Sequence, residues 1–257
     1  MSSSHGRFVW YELMTTDTAS AQTFYREVVG WGAQDSGMSG MQYTMFTAGG
    51  VPVGGLMNLP EDARAMGAPP SWTGYVAVDD VDAGAQQVKR LGGRVHVEPR
   101  DIPTVGRFAV VADPQGAAFA LFKSANPAQD QPSDAMAPGR VGWHELCAAD
   151  WEAAFPFYTE LFGWERSEGI PMGEMGTYQL FSVGGQTIGG MFTKPPAMPV
   201  PLWLYYFAVG DFDAATGRVT AAGGRVLNGP MEVPGGAWIV QATDPQGAMF
   251  ALVGQRA

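Results

Sequence analysis

Apolar residues recur at helical spacing in two places along the chain. Ala21, Phe24, Tyr25 and Val28 fall at i, i+3, i+4 and i+7, and so do Ala154, Phe157, Tyr158 and Leu161. That spacing makes one face of an α-helix apolar. Thr16 or Asp17 before the first run, and Asp150 before the second, can supply a capping oxygen for the helix start. Gly30 stands where the left-handed residue that ends a helix is needed. Pro156 departs from the pattern and predicts a kink or a delayed start in the second helix. Around the helices the pattern changes to short aromatic and β-branched runs broken by glycine, which predicts strands. They lie at Phe8–Met14 and near 31–36, 41–48 and 51–58. The order then repeats: a strand over Trp72–Val78, a helix over Asp80–Leu91 closed by Gly92-Gly93, and strands near 94–98, 107–112 and 117–123. Asp113-Pro114-Gln115-Gly116 is a turn tetrapeptide that makes the last two a hairpin. The pattern is βαβββ twice, and both modules recur in the second half.

The recurrence is literal. Trp10-Tyr11-Glu12-Leu13, Phe24-Tyr25 and Gly30-Trp31 return 133 residues later as Trp143-His144-Glu145-Leu146, Phe157-Tyr158 and Gly163-Trp164. Tyr43 and Gly54-Gly55 return as Tyr178 and Gly189-Gly190, offset by 135. Trp72, Gly92-Gly93-Arg94-Val95 and Asp113-Pro114-Gln115-Gly116 return as Trp203, Gly223-Gly224-Arg225-Val226 and Asp244-Pro245-Gln246-Gly247, offset by 131. Such small changes of offset are short loop insertions between two copies of one domain. The expected domains are 7–123 and 141–254, joined by a linker over 124–140 that contains Pro127, Pro132 and Pro138 and has no apolar periodicity.

Composition narrows the partners. Apolar residues make up 46% of the chain and charged residues 16%, as in a globular protein. Net charge is −10, and the 15 Lys and Arg are scattered. Binding to nucleic acid or to an anionic membrane needs clustered cations, so neither is expected. The longest apolar stretch, Trp203–Val209, is too short to span a bilayer, and the N-terminus lacks the apolar run of a signal peptide. One cysteine excludes an internal disulfide. These features predict a cytoplasmic protein with a small-molecule ligand, as monomer or homodimer.

The doubled βαβββ order, the Phe-Tyr pair followed by Gly-Trp, and the closing Asp-Pro-x-Gly hairpin resemble the vicinal oxygen chelate superfamily. That group includes glyoxalase I, the bleomycin- and fosfomycin-resistance proteins and extradiol dioxygenases. The resemblance implies an α+β fold of two tandem glyoxalase-like domains, each pair of modules curling into an incomplete barrel around a concave pocket. In metal-using relatives, His, Gln and Glu on facing strands hold a divalent ion there. The matching positions here are Trp10 and Trp143, Thr73 and Leu204, Ala120 and Ala251, and the stretches 54–57 and 189–192. None carries a carboxylate, imidazole or thiolate. The expectation is no metal and no cofactor, which puts glyoxalase I or dioxygenase chemistry in doubt.

Strand side chains alternate faces, so Glu12 and Met14 share the pocket face with Trp10, and Glu145 and Cys147 share it with Trp143. Glu12 and Glu145 are the catalytic candidates, since desolvation pushes a carboxyl toward the general acid/base range. Both also read as hydrogen-bond acceptors that hold the sheet together. Tyr43 and Tyr178 can orient a ligand, and also read as core residues with a wet tip. Trp72, Trp203, Met57 and Met191 complete an expected apolar lining. Arg107, whose aligned residue is Trp238, can hold an anion or stand as a strand-end charge. Cys147 and His144 lie on opposite faces of one strand, so they form no dyad. The expected function is metal-free binding of a small apolar or aromatic molecule. The rival is a metal-independent isomerase, cyclase or lyase using Glu12 or Glu145, possibly in secondary metabolism. A metal-dependent glyoxalase or dioxygenase ranks last.

Overall fold

The computed structural model describes residues 4–37, 42–126 and 134–256. The first repeat contains β1 (Phe8–Thr15), α1 (Thr18–Val28), β2 (Gly32–Asp35), β3 (Tyr43–Ala48), β4 (Val51–Asn58), α2 (Glu61–Ala65), β5 (Ser71–Ala77), α3 (Val81–Arg90), β6 (Arg94–Ile102), β7 (Gly106–Ala112) and β8 (Ala118–Ser124). The second contains β9 (Val141–Ala148), α4 (Trp151–Phe162), β10 (Glu165–Pro171), β11 (Thr177–Val183), β12 (Gln186–Thr193), β13 (Leu202–Ala208), α5 (Phe212–Ala221), β14 (Arg225–Glu232), β15 (Trp238–Thr243) and β16 (Met249–Gly254). Each repeat makes one eight-stranded sheet. The orders are β2-β3-β4-β1-β5-β8-β7-β6 and β10-β11-β12-β9-β13-β16-β15-β14. The fold is α+β, with two tandem glyoxalase-like domains.

Asp17 and Asp150 cap their helices, accepting from Ser20 N–H and from the N–H groups of Glu152 and Ala153. The second helix therefore starts on schedule at Trp151, and the delayed start expected from Pro156 does not occur. Pro156 sits on the exposed side of α4. The carbonyl that loses its intrahelical donor there can turn to water. The short helix α2 and the extension of β6 to Ile102 went unread, because neither has a distinctive apolar period. Of the linker prolines, Pro127 and Pro132 lie outside the described residues. Its end is tied down: Gly139 N–H donates to Ala208 O, and Trp31 Nε1–H donates to Gly139 O at 2.7 Å.

Compact packing divides the chain differently from the repeats. One unit comprises 1–9, 74–132 and 144–203, and the other 10–73, 133–143 and 204–257. Each unit therefore takes one βαβββ module from each repeat. In the unit that includes α1, the Phe24 ring packs edge-on to Phe250, and Tyr25 meets Trp31, Phe46, Trp72, Phe207 and Phe250. In the other unit, Phe157 and Tyr158 pack on Phe119, and Tyr158 also meets Trp164 and Trp203. A polar relay runs through each aromatic core. Trp72 Nε1–H donates to the Tyr25 hydroxyl (2.8 Å), which donates to Asp244 Oδ2 (3.2 Å). Trp203 Nε1–H likewise donates to Tyr158 (3.3 Å), which donates to Asp113 Oδ2 (2.9 Å). Each Asp also caps its own turn through backbone N–H groups two and four residues on. The Phe-Tyr pair of one repeat thus locks onto the Asp-Pro-Gln-Gly turn of the other.

Candidate functional site

The candidate site is built on three neighbouring strands in each repeat. In the first, β3 pairs with β4 and β4 with β1, placing Tyr43 beside Met57, and Gly55 beside Glu12. Gly55 lacks a side chain for a reason: a Cβ there would fall 1.8 Å from the Tyr43 hydroxyl and 2.3 Å from Cζ. The Tyr43 ring lies across the bare backbone of β4 and reaches β1. There its hydroxyl donates to the Glu12 carboxylate and accepts from Trp10 Nε1–H at 2.9 Å. Burial and the neighbouring Glu12 push the Tyr43 hydroxyl well above the ordinary phenol pKa. It therefore stays protonated and serves as a donor. Glu12 is only 8% exposed. A carboxylate so buried needs partners, and the Tyr43 donor is one of them.

The second repeat uses the same device. Tyr178 lies across Gly190, where a Cβ would stand 2.1 Å from its ring, and donates to Glu145 Oε2 at 3.0 Å. Met14 of the first repeat is replaced by Cys147, whose thiol reaches Glu145 Oε1 at 3.9 Å. Burial and the adjacent Glu145 push the Cys147 thiol pKa well up, so it is a weak donor rather than a nucleophile. Glu145 is 6% exposed.

The other residues separate by face. Met14 and Met57 pair in register with each other beside Glu12 and Tyr43. Trp143 is half-buried, two residues before Glu145 on the same strand. Met191 pairs with Leu146 and is fully buried, which puts it on the face opposite Glu145; Phe192, opposite Cys147, takes the place assigned to it. The cause is one residue of register, which reverses a strand's faces. Trp72 and Trp203 are buried with their indole N–H groups held by Tyr25 and Tyr158. They pack in the aromatic cores rather than beside Glu12 or Glu145. Arg107 is held by Asp82 at 2.7 Å and Asp101 at 2.9 Å on the surface, and its aligned residue Trp238 carries Arg256 over its ring instead. His144 donates from Nδ1 to Ile188 O at 2.6 Å and stacks on Phe8. Burial lowers its pKa to about 4. His5 Nδ1 lies 3.6 Å from Asp79 Oδ2. The surface depressions beside α1 (Thr23, Arg26, Glu27, Trp31) and α4 (Phe155, Pro156, Trp164, Arg166 among others) include none of the site residues. Gly55 and Gly190 were the missed parts of the site. The signal was present: a Gly-Gly pair repeated at the same offset as the tyrosine it seats.

A divalent ion in this fold needs several His, Cys, Asp or Glu donors converging. Among the described residues no group of three or more such side chains comes together. Glu12 has Tyr43 and Trp10 near it, and Glu145 has Tyr178 and Cys147. These donor sets do not fit the ion held by metal-using relatives.

Comparison with known proteins agrees with this architecture. A family model described as the Glyoxalase/Bleomycin resistance protein/Dioxygenase superfamily matches residues 7–121 and again 140–252. "Putative glyoxylase CFP32" of Mycobacterium tuberculosis (strain CDC 1551 / Oshkosh) is 35% identical over 95% of this chain and 93% of its own. The anthracycline biosynthesis protein DnrV of Streptomyces peucetius is 33% identical over 96% and 93%. Among solved structures, the Mn(II)-bound glyoxalase from Novosphingobium aromaticivorans superposes with a TM-score of 0.65 at 16% identity, covering 98% of this chain and 83% of that one. The 2,3-dioxygenase LapB from Pseudomonas sp. KL28 gives 0.66 at 13% identity, over 98% and 92%. At such identities these two speak for the fold alone. The doubled family match and the full-length relatives together establish that this chain belongs to the glyoxalase/bleomycin resistance/dioxygenase superfamily.

Proposed function

We propose that this protein binds a small, planar, largely apolar or aromatic molecule against the sheet face that carries Glu12 and Tyr43, its counterpart with Glu145 and Tyr178, or both, without a metal. The observation that carries the reading is the occupancy of that face. A tyrosine laid over a glycine holds a buried carboxylate, with Trp10, Met14 and Met57 nearby, where metal-using relatives place ligands. Aromatic and thioether side chains suit a flat apolar ligand, and a few placed polar groups orient it. The name of DnrV adds support, since anthracyclines are planar fused-ring molecules. No nucleic-acid or membrane partner is part of this proposal, which takes the protein as cytoplasmic and as a monomer or homodimer.

A second reading has one observation in its favour. A buried carboxylate positioned by a phenol O–H in both repeats can serve as the acid/base of an isomerisation, cyclisation or elimination. The two readings part on one experiment. Chelator-treated protein is titrated with β-hydroxyanthraquinone, following quenching of tryptophan fluorescence, for wild type and for the double variant E12Q/E145Q. Saturable binding that the variant keeps within about threefold, with the ligand recovered chemically unchanged from wild type, supports binding without chemistry, because a glutamine still accepts from the tyrosine; conversion of the ligand by wild type that the variant loses supports the second reading. Binding that appears only when a divalent metal is added back would overturn the proposal.

A further inference from the structure

Trp31, Trp72 and Tyr25 form a closed cluster of rings in one core. Their centroids lie 5.7 Å (Trp31–Tyr25), 5.2 Å (Trp72–Tyr25) and 5.8 Å (Trp31–Trp72) apart. Trp164, Trp203 and Tyr158 repeat the cluster in the other core, at 5.2 Å (Trp164–Tyr158), 5.5 Å (Trp203–Tyr158) and 5.7 Å (Trp164–Trp203). All six rings are buried. Indole and phenol are the protein rings that give up one electron most readily, and here they are in contact.

The proton of each phenol has one direction to go. An indole N–H can only donate, so Tyr25 accepts from Trp72 and points its own O–H at Asp244 Oδ2. Asp244 Oδ1 already accepts from the N–H groups of Gln246 and Ala248. Oδ2 is therefore the oxygen placed to take a proton, 3.2 Å from the phenol. The second cluster repeats every bond. Asp113 Oδ1 accepts from the N–H groups of Gln115 and Ala117, and Oδ2 faces Tyr158 at 2.9 Å. Burial raises the pKa of both aspartates above the ordinary 3.8, which makes each a readier proton acceptor than an exposed carboxylate.

A phenol that loses an electron becomes a strong acid, so its oxidation is easy only where a base takes the proton at once. The indoles of these clusters face no such base. Trp31 and Trp164 donate to the carbonyls of Gly139 and Gly6, and Trp72 and Trp203 to the phenols. We propose that each core is a sink for an electron hole, with Tyr25 and Tyr158 as its terminal one-electron sites. The activity is interception of a one-electron oxidant of the peroxyl-radical class, and the step balances. The oxidant takes one electron from a tryptophan and one proton from solvent, and leaves as a hydroperoxide. The tryptophan radical cation then takes an electron from Tyr25. The phenol proton moves to Asp244 Oδ2, and a neutral tyrosyl radical remains. Tyr158 and Asp113 do the same in the other core. The chemistry goes beyond the proposed ligand binding and needs no ligand on the Glu12 or Glu145 face.

The test is flash photoionisation of tryptophan in the full chain, which creates holes in place, followed by transient absorption. In wild type the broad tryptophanyl band should decay as the sharp tyrosyl band rises. The transfer should slow in deuterated water, because a proton moves with the electron. Y25F/Y158F removes both terminal phenols and should lose most of the tyrosyl yield, leaving the tryptophanyl band to persist. D113N/D244N keeps the phenols but replaces the base, and should slow the transfer by about a hundredfold, the low end for a positioned proton acceptor. No tyrosyl rise in wild type, an equal rate in deuterated water, or a wild-type yield in Y25F/Y158F each overturns the proposal. The two wild-type measurements decide it even where a variant fails to fold. No planar ligand enters the experiment, so its failure leaves planar-ligand binding standing.

Discussion

A glycine decides where a tyrosine can go. At Gly55 the missing Cβ lets the Tyr43 ring cross β4, and so reach Glu12 on the next strand. G55A should push Tyr43 aside and leave Glu12 short of a donor, at a cost of roughly 1–3 kcal/mol. In a Y43A background the same change should cost well under about 1 kcal/mol, because the obstructing ring is gone. Urea denaturation of the four proteins in this cycle measures the coupling; additive costs would contradict the account. His144 carries a second residue-scale prediction. Its pKa falls from 6.5 to about 4 on burial, so its contribution is present above pH 6.5 and lost as pH drops through 4. A fall of about 2.5 units corresponds to roughly 3 kcal/mol. H144Q should flatten the stability curve between pH 6.5 and 4 by that amount. Burial raises the pKa of Asp113 and Asp244, which has the opposite slope: their contribution fades as pH climbs from 3.8 through the raised values. Both proteins share those carboxyls, so the difference between the two curves isolates His144.

At the scale of elements, the helices that bear Phe-Tyr act as bolts. The Tyr25 hydroxyl accepts from Trp72 and donates to Asp244, all three buried. Y25F removes one oxygen and strands a buried indole N–H and a carboxylate oxygen together. The expected loss is about 2–4 kcal/mol, seen as a lower denaturation midpoint with an unchanged slope. Y158F should cost a similar amount through Trp203 and Asp113. A loss below about 0.5 kcal/mol in both would show that the relays are ornamental. The second glycines of Gly92-Gly93 and Gly223-Gly224 belong to the same bolts. A Cβ on Gly224 would stand 2.8 Å from the Phe24 ring, and one on Gly93 would stand 3.2 Å from Phe157. These motifs were legible as repeats, and Phe24, Tyr25, Phe157 and Tyr158 as apolar helix faces. Their partners were not legible, because Trp72 and Trp203 lie in a different module of the same repeat, and Asp244 and Asp113 lie in the other repeat.

For the whole molecule, the repeats and the compact units are different divisions. Each repeat closes its own hydrogen-bonded sheet, yet each packed core draws on both. A fragment of residues 1–126 therefore contains a complete sheet and an α1 whose partners Asp244, Phe207 and Phe250 are missing. It should not melt cooperatively as a monomer. Size-exclusion chromatography with thermal unfolding should show either a loose species or a homodimer, in which Tyr25 of one copy meets Asp113 of the other. A stable monomeric fragment with a native-like melting temperature would refute this. Local physics made the strands, capped helices, turn tetrapeptides and tandem order readable from sequence alone, since periodicity, capping oxygens and glycine placement act within a few residues. Only tertiary structure decided that Tyr43 crosses Gly55 to Glu12, that Met191 faces away from Glu145, that Trp72 and Trp203 serve a core, and that the bolts join opposite repeats. Those outcomes depend on register and on packing between distant segments, and neither leaves a periodic mark on the chain.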